Sequence, residues 1–461
     1  MHQRSTDPRP TWHCTPVTAP TRLRAQSGYA FLETHNGSLW GESGVNRELF
    51  GIQSFRRIVI TRGISALANW AVILASSYLV LQITDDPLAV GLLALAKGLP
   101  SLLLTSYGGS LADRYETTRV IAASYVFRAL AIGGLAVGFW LEQAGLAAIY
   151  LASALAGCGA ALAKASVAAL VVQPVPSYLR QRAIVITSLT YSLGAIIGPV
   201  IAGTLLSLGG IGTTFMISAL ALLAVAGLAY FGIKLSDSIE SEPESLDDKD
   251  ESAHPANAIS ERKSRTNWWQ NLRKALADPQ LRPAFLGIAM LSVTAFPVLS
   301  LAAVIAEQYG KSPILLEVIL AAAGIGSLLC NLVLMRVEIS RAHRGPVAAG
   351  SFFATAISIA LAATAPTIAI EAVAFALLAA SVNVLWVVTS AAIQTDSPSA
   401  TRGRMNGIFF TIASAGTSIG ALIMSEFMSL LGVPSTLLGY AAILLVIALL
   451  VTRSRHQLIK A

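Results

Sequence analysis

The sequence predicts an all-α polytopic membrane protein with twelve transmembrane helices in two six-helix halves. Of its 461 residues, 54% are hydrophobic and only 12% are charged, whereas ordinary soluble domains carry about 25% charged residues. Twelve apolar runs are each long enough to cross the hydrocarbon core as a helix. We call them spans 1 to 12, near residues 58–82, 88–111, 120–140, 147–173, 184–207, 212–234, 284–306, 314–335, 346–365, 368–393, 405–427 and 433–452.

Lysine and arginine in the short loops predict the orientation of the chain. The loops after spans 2, 4, 8 and 10 carry nine arginines, whereas the loops at the opposite ends of the spans carry only Lys311. This difference places both termini in the cytoplasm. The net charge of +7 reflects this bias, and no basic patch typical of nucleic-acid binding is present. The loops after spans 2, 4, 8 and 10 carry Arg114, Arg119, Arg180, Arg182, Arg336, Arg341, Arg344, Arg402 and Arg404.

The chain is expected to divide in its middle. The linker opens with the acidic SDSIESEPESLDDKDE, typical of a disordered tether. It closes with RKSRTNWWQNLRKAL, which predicts a short amphipathic helix on the lipids of the inner leaflet; a merely solvated linker is the alternative. The predicted segments are a flexible cytoplasmic extension (1–55), a first half (56–235), a cytoplasmic linker (236–282), a second half (283–453) and a cytoplasmic tail (454–461).

No metal, cofactor or catalytic site is expected. Cys14, Cys158 and Cys330 lie far apart, and the six histidines all fall outside the spans. No phosphate-binding loop of the G-x-x-x-x-G-K-[ST] type occurs, so ATP hydrolysis by this chain is not supported. A membrane enzyme or receptor is therefore the remote alternative to a transporter.

Two motifs resemble those of a known family. GGSLADRYETTR, at residues 108–119 between spans 2 and 3, resembles the major facilitator superfamily loop motif G-x-L-A-D-R-x-G-R-K, although residues 116–118 depart from it. GAIIGPVIAG in span 5 is similar to the antiporter motif G-x-x-x-G-P-x-x-G-G, with Ala202 in place of a glycine. From Phe55 to Leu449 the chain resembles the branch of siderophore exporters and macrolide efflux proteins, above all in AIQTDSPSATRGRMNGIFFTIASAGTSIGAL.

The resemblance implies the major facilitator fold and a secondary active exporter in the bacterial inner membrane. It further implies a monomer that works by alternating access and uses a proton gradient to drive antiport of a small molecule. A siderophore is the first expected substrate, and multidrug efflux is the alternative.

A gate is expected at the cytoplasmic end of span 2. There Asp113 can meet the positive N-terminal end of another helix, or it merely ends span 2. The resemblance implies a latch between Asp113 and the start of span 11 and the loop after span 4. The predicted gating residues of these loops are Gly109, Asp113, Arg114, Arg180, Arg182 and Arg404.

Small residues in span 5 predict a second gating element. Thr187, Tyr191, Gly194 and Gly198 fall on one helical face, which lets another helix approach closely. Pro199 favours a bend. The stripe is interpreted as a hinge against span 8, or as plain close packing. Its predicted gating residues are Gly194, Gly198, Pro199 and Gly203.

Charges inside the spans indicate what is transported. Arg62, Lys97, Arg128 and Lys164 lie in spans 1 to 4, whose interiors offer no matching carboxylate. Four such cations predict a positive cavity for an anion, although each alone could snorkel or contact a backbone carbonyl. The other predicted substrate-binding residues are Asn69, Tyr191, Asn383 and Trp386; for the two on span 10, helix packing is the alternative.

Proton antiport needs a carboxylate that changes its protonation state. Glu307, Glu317, Glu371 and Glu426 lie at the outer ends of spans 7, 8, 10 and 11. Glu317 is expected to be the most buried of them. Asp113 and Glu317 are therefore the predicted proton-coupling residues.

Overall fold

The computed structural model describes residues 48–112, 115–176, 179–232, 268–334, 336–337, 339–341, 343–397 and 402–459. Within these ranges, ten helices are long and apolar enough to cross a membrane. One of them, at residues 186–231, has 46 residues, which is enough for two crossings. Span 2 forms a further helix of 26 residues. The described helices are therefore consistent with the twelve predicted spans of a multi-pass membrane protein.

In the first half, each predicted span coincides with a helix. Spans 5 and 6 share one long helix that is interrupted at Gly210, where φ is 75°. A residue with a side chain rarely adopts this backbone conformation, so glycine separates the two crossings there. The helices are Gln53–Thr84 (span 1), Pro87–Ala112 (span 2), Thr117–Trp140 (span 3), Leu146–Val172 (span 4) and Arg180–Gly227 (spans 5 and 6).

In the second half, span 7 is broken into three short helices. Ala295 and Leu301 interrupt it on either side of Pro297, whose ring removes a backbone donor. The break in span 7 therefore lies around Phe296 and Pro297. The helices are Arg282–Thr294, Phe296–Ser300 and Ala302–Glu307 (span 7), Pro313–Leu334 (span 8), Arg344–Ala363 (span 9), Ile368–Asp396 (span 10), Arg402–Leu431 (span 11) and Val433–Ile459 (span 12).

The linker ends in a helix of its own. It runs from Trp268 to Ala277 and contacts spans 7 and 11. Its position agrees with the segment predicted to be amphipathic. The acidic tether of the linker lies outside the described residues.

The two halves meet along two pairs of spans. Span 2 lies against span 11, where side chains at Gly91 and Gly98 would collide with Ser425 and Ser418. Span 8 lies against span 5, where a side chain at Gly324 would collide with Ile196. Glycine permits these approaches because it lacks a Cβ atom. We call the end with the loops after spans 2, 4, 8 and 10 the arginine-rich end, and the opposite end the Lys311 end.

Candidate transport site

Spans 1, 3 and 5 bring two of the predicted cations together in the first half. Arg128 Nη2 donates a hydrogen bond to Asn69 Oδ1 at 3.2 Å, and the Arg128 guanidinium lies 5.5 Å from the ring centre of Tyr125. The guanidinium of Arg62 lies 5.9 Å from the ring centre of Tyr191. Cations favour the faces of aromatic rings, so these two rings orient the arginines in the interior of the bundle.

Span 2 adds a third cation to this group. Lys97 is half-buried and close enough to Arg128 for the two positive charges to repel each other. Gly157 of span 4 lies directly against the backbone carbonyl of Lys97, which fixes the position of the lysine. Lys164, the fourth predicted cation, belongs to the helix of span 4, but its side chain lies outside the described part of the structure.

Tyr191 lies beside both arginines. Its side chain is 40% exposed, and the charges of Arg62 and Arg128 both act on it. Trp70 of span 1 lies beside it, with the two ring centres 6.4 Å apart.

The cation group, formed by Arg62, Lys97 and Arg128, carries more hydrogen-bond donors than acceptors. Among the described residues, no carboxylate forms an ion pair with Arg62, Lys97 or Arg128. The buried N–H groups of Arg62 Nε, Trp70 Nε1 and Arg128 Nε also have no described acceptor. Because a buried charge without a partner costs several kcal/mol, an anion placed beside this group would stabilise it.

The second half contributes an aromatic wall. The Trp386 ring of span 10 lies 4.9 Å from that of Phe409 and 5.8 Å from that of Phe410, both of span 11. Phe296, at the break in span 7, packs edge-on against Trp386 at 5.9 Å. Such edge-to-face groups present a large apolar surface. The direct contacts of Trp386 with all three rings agree with helix packing, the alternative given for this residue. Substrate binding by Trp386 stays a prediction.

Asn383 links three spans. Its Nδ2 donates to Asn331 Oδ1 at 2.9 Å and to the Ser327 carbonyl at 3.3 Å, both on span 8. Asn331 in turn donates to the Ser192 hydroxyl of span 5 at 3.3 Å. Both amide hydrogens of Asn383 thus hold span 10 to span 8, and Asn331 makes the hydrogen bond that reaches the first half.

The family follows from a comparison with known sequences. Residues 49–461 match the family model described as a transmembrane secretion effector. The chain belongs to this family. It is a major facilitator superfamily exporter that resembles the enterobactin exporter EntS of Shigella flexneri, with 26% identity over 373 residues, 80% of this chain and 84% of the relative. The exporter EntS of Escherichia coli strain SE11 is likewise 26% identical over 372 residues, with the same two shares.

Solved structures of other transporters support the fold assigned to this chain. One is a bacterial homologue of the human lysosomal transporter Spinster in an inward-facing and unoccupied conformation, with a TM-score of 0.64 and 12% identity over 86% of this chain and 94% of that chain. Another is a POT family transporter in complex with 5-aminolevulinic acid, with a TM-score of 0.66 and 11% identity over 86% and 95%. At these identities the likeness shows the major facilitator fold.

The predicted hinge of span 5 has a different neighbour from the one expected. Side chains at Gly194 and Gly198 would collide with Ala66 and Trp70, so this face packs on span 1 and the expectation of span 8 is wrong. Positions on a helix seen only in sequence do not reveal which neighbour covers each face. Gly203 does face span 8, where it lies against the carboxyl group of Glu317. The helix continues through Pro199, and its non-helical residue is Gly210.

Most of the predicted cytoplasmic gate lies beyond what the structure describes. Asp113 and Arg114 are outside the described residues, as are the side chains of Arg180, Arg182 and Arg404 and the surroundings of Gly109. Arg119, in the first turn of span 3, pairs with Glu116 at 2.8 Å.

At the Lys311 end, an ion pair joins the halves of the exporter. Lys311 Nζ lies 2.5 Å from Asp85 Oδ1 and 3.6 Å from Glu307 Oε1. The Tyr78 hydroxyl donates to the Lys311 carbonyl at 3.1 Å. The hydrogen bond with Asp85, ahead of the attraction between the charges, raises the pKa of Lys311. The sequence marked Lys311 as the lone cation of its loops, but it gave no sign of the partner.

Charge reversal tests whether this ion pair helps to hold the Lys311 end together. We expect Asp85→Lys to slow transport by no more than about fivefold, because exposed ion pairs are weak. The double variant Asp85→Lys with Lys311→Asp restores the attraction and should recover most of the rate. Transport into everted membrane vesicles measures both. If the double variant transports as slowly as the single one, the ion pair does not help to hold the two halves together at the Lys311 end.

Glu371, and not Glu317, is the most buried carboxylate of those predicted. Glu371 is 0% exposed, whereas Glu317 is half-buried, so the expectation for Glu317 is wrong. The Glu371 Oε2 atom lies 3.2 Å from the Tyr309 hydroxyl, which is also 2.8 Å from the Ala365 carbonyl. Burial, with the neighbouring Glu371, raises the pKa of Tyr309 to about 12, so this phenol keeps its proton at neutral pH.

Proposed function

We propose that this exporter moves a small anionic metabolite, namely a siderophore, out of the cell by alternating access and proton antiport. The observation that carries the proposal is the group formed by Arg62, Lys97 and Arg128, whose charges have no described carboxylate partner. A siderophore is an acidic chelator made inside the cell and needed outside it. The relatives named as enterobactin exporters support the same substrate class.

The orientation proposed for the exporter follows from its basic loops. The arginine-rich end faces the cytoplasm, as the positive-inside distribution favours. Both termini then lie in the cytoplasm of a bacterial cell, and the chain acts as a monomer in the inner membrane. In this orientation the ion pair of Asp85 and Lys311 belongs to the outer end.

Two carboxylates are proposed to couple protons to this motion. Glu317 lies where span 8 meets Gly203 of span 5, so its surroundings change when the halves move apart. Asp113 is proposed to form the cytoplasmic latch that the family motif implies, with Gly109, Arg114, Arg180, Arg182 and Arg404. Gly194, Gly198 and Pro199 keep span 5 close to span 1 during the same motion.

The aromatic wall favours a second candidate, a multidrug efflux pump. Trp386, Phe409 and Phe410 present a surface that suits a lipophilic drug as well as the ring of an aromatic anion. The two candidates differ in the charge that the substrate must carry. An anion requires Lys97 and Arg128, whereas a lipophilic cation is repelled by them.

Transport by the purified protein in liposomes distinguishes these candidates. With an imposed pH gradient, we expect accumulation of catecholate, hydroxamate or polycarboxylate siderophores, and little accumulation of a lipophilic cationic dye. Lys97→Gln should reduce anion transport more than Trp386→Leu does. Transport of the dye alone, with Trp386→Leu the more harmful change, would overturn the siderophore proposal and support drug efflux.

A further inference from the structure

Glu371 and Tyr309 form a closed hydrogen-bonded group at the Lys311 end of the second half. Glu371 belongs to the first turn of span 10, Tyr309 follows span 7, and the carbonyl of Ala365 follows span 9. The carboxyl group is fully buried, and its Oε1 atom has no hydrogen-bond partner among the described residues. The group therefore joins three helix ends through one carboxyl and one phenol.

Few hydrogen bonds are available to stabilise a charge on this carboxyl group. The Tyr309 hydroxyl has one proton, which it shares between Glu371 Oε2 at 3.2 Å and the Ala365 carbonyl at 2.8 Å. The Glu371 Oε1 atom has no described partner. A fully buried carboxylate with part of one hydrogen bond is costly, so burial favours the protonated, neutral carboxyl.

Among the described residues, no cation pairs with Glu371. Its hydrogen-bond partner is the Tyr309 hydroxyl after span 7, which also contacts the Ala365 carbonyl after span 9. Lys311, two residues after Tyr309, pairs with Asp85 and Glu307. Among the described groups, Tyr309 is the one titratable residue that acts on Glu371. The helix N-terminus of span 10 favours an anion, but only weakly compared with the cost of removing a carboxylate from water.

We propose that Glu371 and Tyr309 form a proton-binding site in which Glu371 is protonated while the ends of spans 7, 9 and 10 are packed together. Loss of this proton creates a charge that must be hydrated, which breaks the contact with Tyr309 and separates these helix ends. Acidic conditions thus stabilise the packed arrangement. A role for this proton in export rests on the proposed function, whereas the site itself does not.

Infrared spectroscopy of the whole protein tests the site. At neutral pH, we expect an absorption band of a protonated carboxylic acid that is lost in Glu371→Gln and shifted in Tyr309→Phe, which removes its hydrogen-bond partner. The matched control is Glu426→Gln, because Glu426 is an exposed carboxylate of the same half; it should leave the band unchanged. A Glu371→Gln spectrum identical to that of the wild type would overturn the proposal, and so would an unshifted band in Tyr309→Phe.

Thermal stability gives a second readout. The melting temperature of the wild type should fall as pH rises from acidic to alkaline, because ionising the buried carboxyl destabilises the packed state. Glu371→Gln keeps a neutral side chain whose oxygen can accept from Tyr309, so this variant should lose this part of the fall, while Glu426→Gln keeps it. An equal fall in all three proteins would contradict the proposal. If no anion is transported, the proposed function fails while these two measurements still decide the proton site.

Discussion

Replacing Arg128 with glutamine is expected to lower the rate of anion export by about 10- to 100-fold, since hydrogen bonds to charged groups contribute about 1.5–3 kcal/mol. Arg128 holds Asn69 at 3.2 Å and is repelled by Lys97. Glutamine keeps a donor for Asn69 but removes the charge that would attract the substrate. Initial rates in proteoliposomes with a siderophore gradient measure the loss.

The same substitution separates substrate binding from folding. Removing a buried cation that lacks a described carboxylate partner and lies near another cation relieves repulsion. The melting temperature of Arg128→Gln should therefore stay the same or rise while export falls. A purely structural arginine would lower both, and that result would contradict the substrate role.

A matched control lies on the same helix. Arg119 begins span 3, is 69% exposed and pairs with Glu116, so Arg119→Gln should change export by less than about twofold. Arg128→Lys should fall between the wild type and Arg128→Gln, because it keeps the charge and loses the planar set of donors. Equal rates in Arg119→Gln and Arg128→Gln would show that the position of the charge is irrelevant.

The sequence predicted the positive cavity because charge inside apolar spans is rare and needs a reason. The break in span 7 is explained by Pro297 in the sequence, since proline acts on its own backbone. The pairing of Arg128 with Asn69 joins residues that are 59 positions apart. No periodicity within a single span fixes the rotation of one helix relative to another, so this contact could be read only from the structure.

The same limit explains the two wrong expectations. Glu371 lies in the first turn of its helix, a place that usually suggests exposure at the membrane surface, but it is fully buried and contacts Tyr309 from the end of span 7. Gly194 and Gly198 marked a face of close approach, and that face exists. The glycine spacing could not show that the neighbouring helix is span 1 and not span 8.

Replacing Gly157 with alanine is expected to destabilise the first half by about 1–3 kcal/mol, the usual cost of overpacking a well-packed interior. A Cβ atom at this position would collide with the backbone carbonyl of Lys97 in span 2. Because a backbone carbonyl inside a helix cannot rotate away, span 4 must move off span 2. Alanine is the better helix former by about 1 kcal/mol, so a net fall in stability must come from the contact between the helices and understates its cost.

Two further glycines make this prediction specific. Nothing lies within 4 Å of a Cβ atom at Gly134, so Gly134→Ala should leave the melting temperature unchanged or raise it. At Gly159 the added atom would lie 2.6 Å from Arg128 Cγ, which belongs to a flexible side chain, and 3.0 Å from the Ser124 carbonyl.

Gly159→Ala should therefore reduce export by displacing Arg128, with a smaller loss of stability than Gly157→Ala. Thermal unfolding in detergent and export assays on the same preparations measure both quantities. Gly157 and Gly159 face the spans that carry Lys97 and Arg128, so the close packing of span 4 positions both cations. Equal stability in Gly157→Ala and Gly134→Ala would contradict that role for span 4.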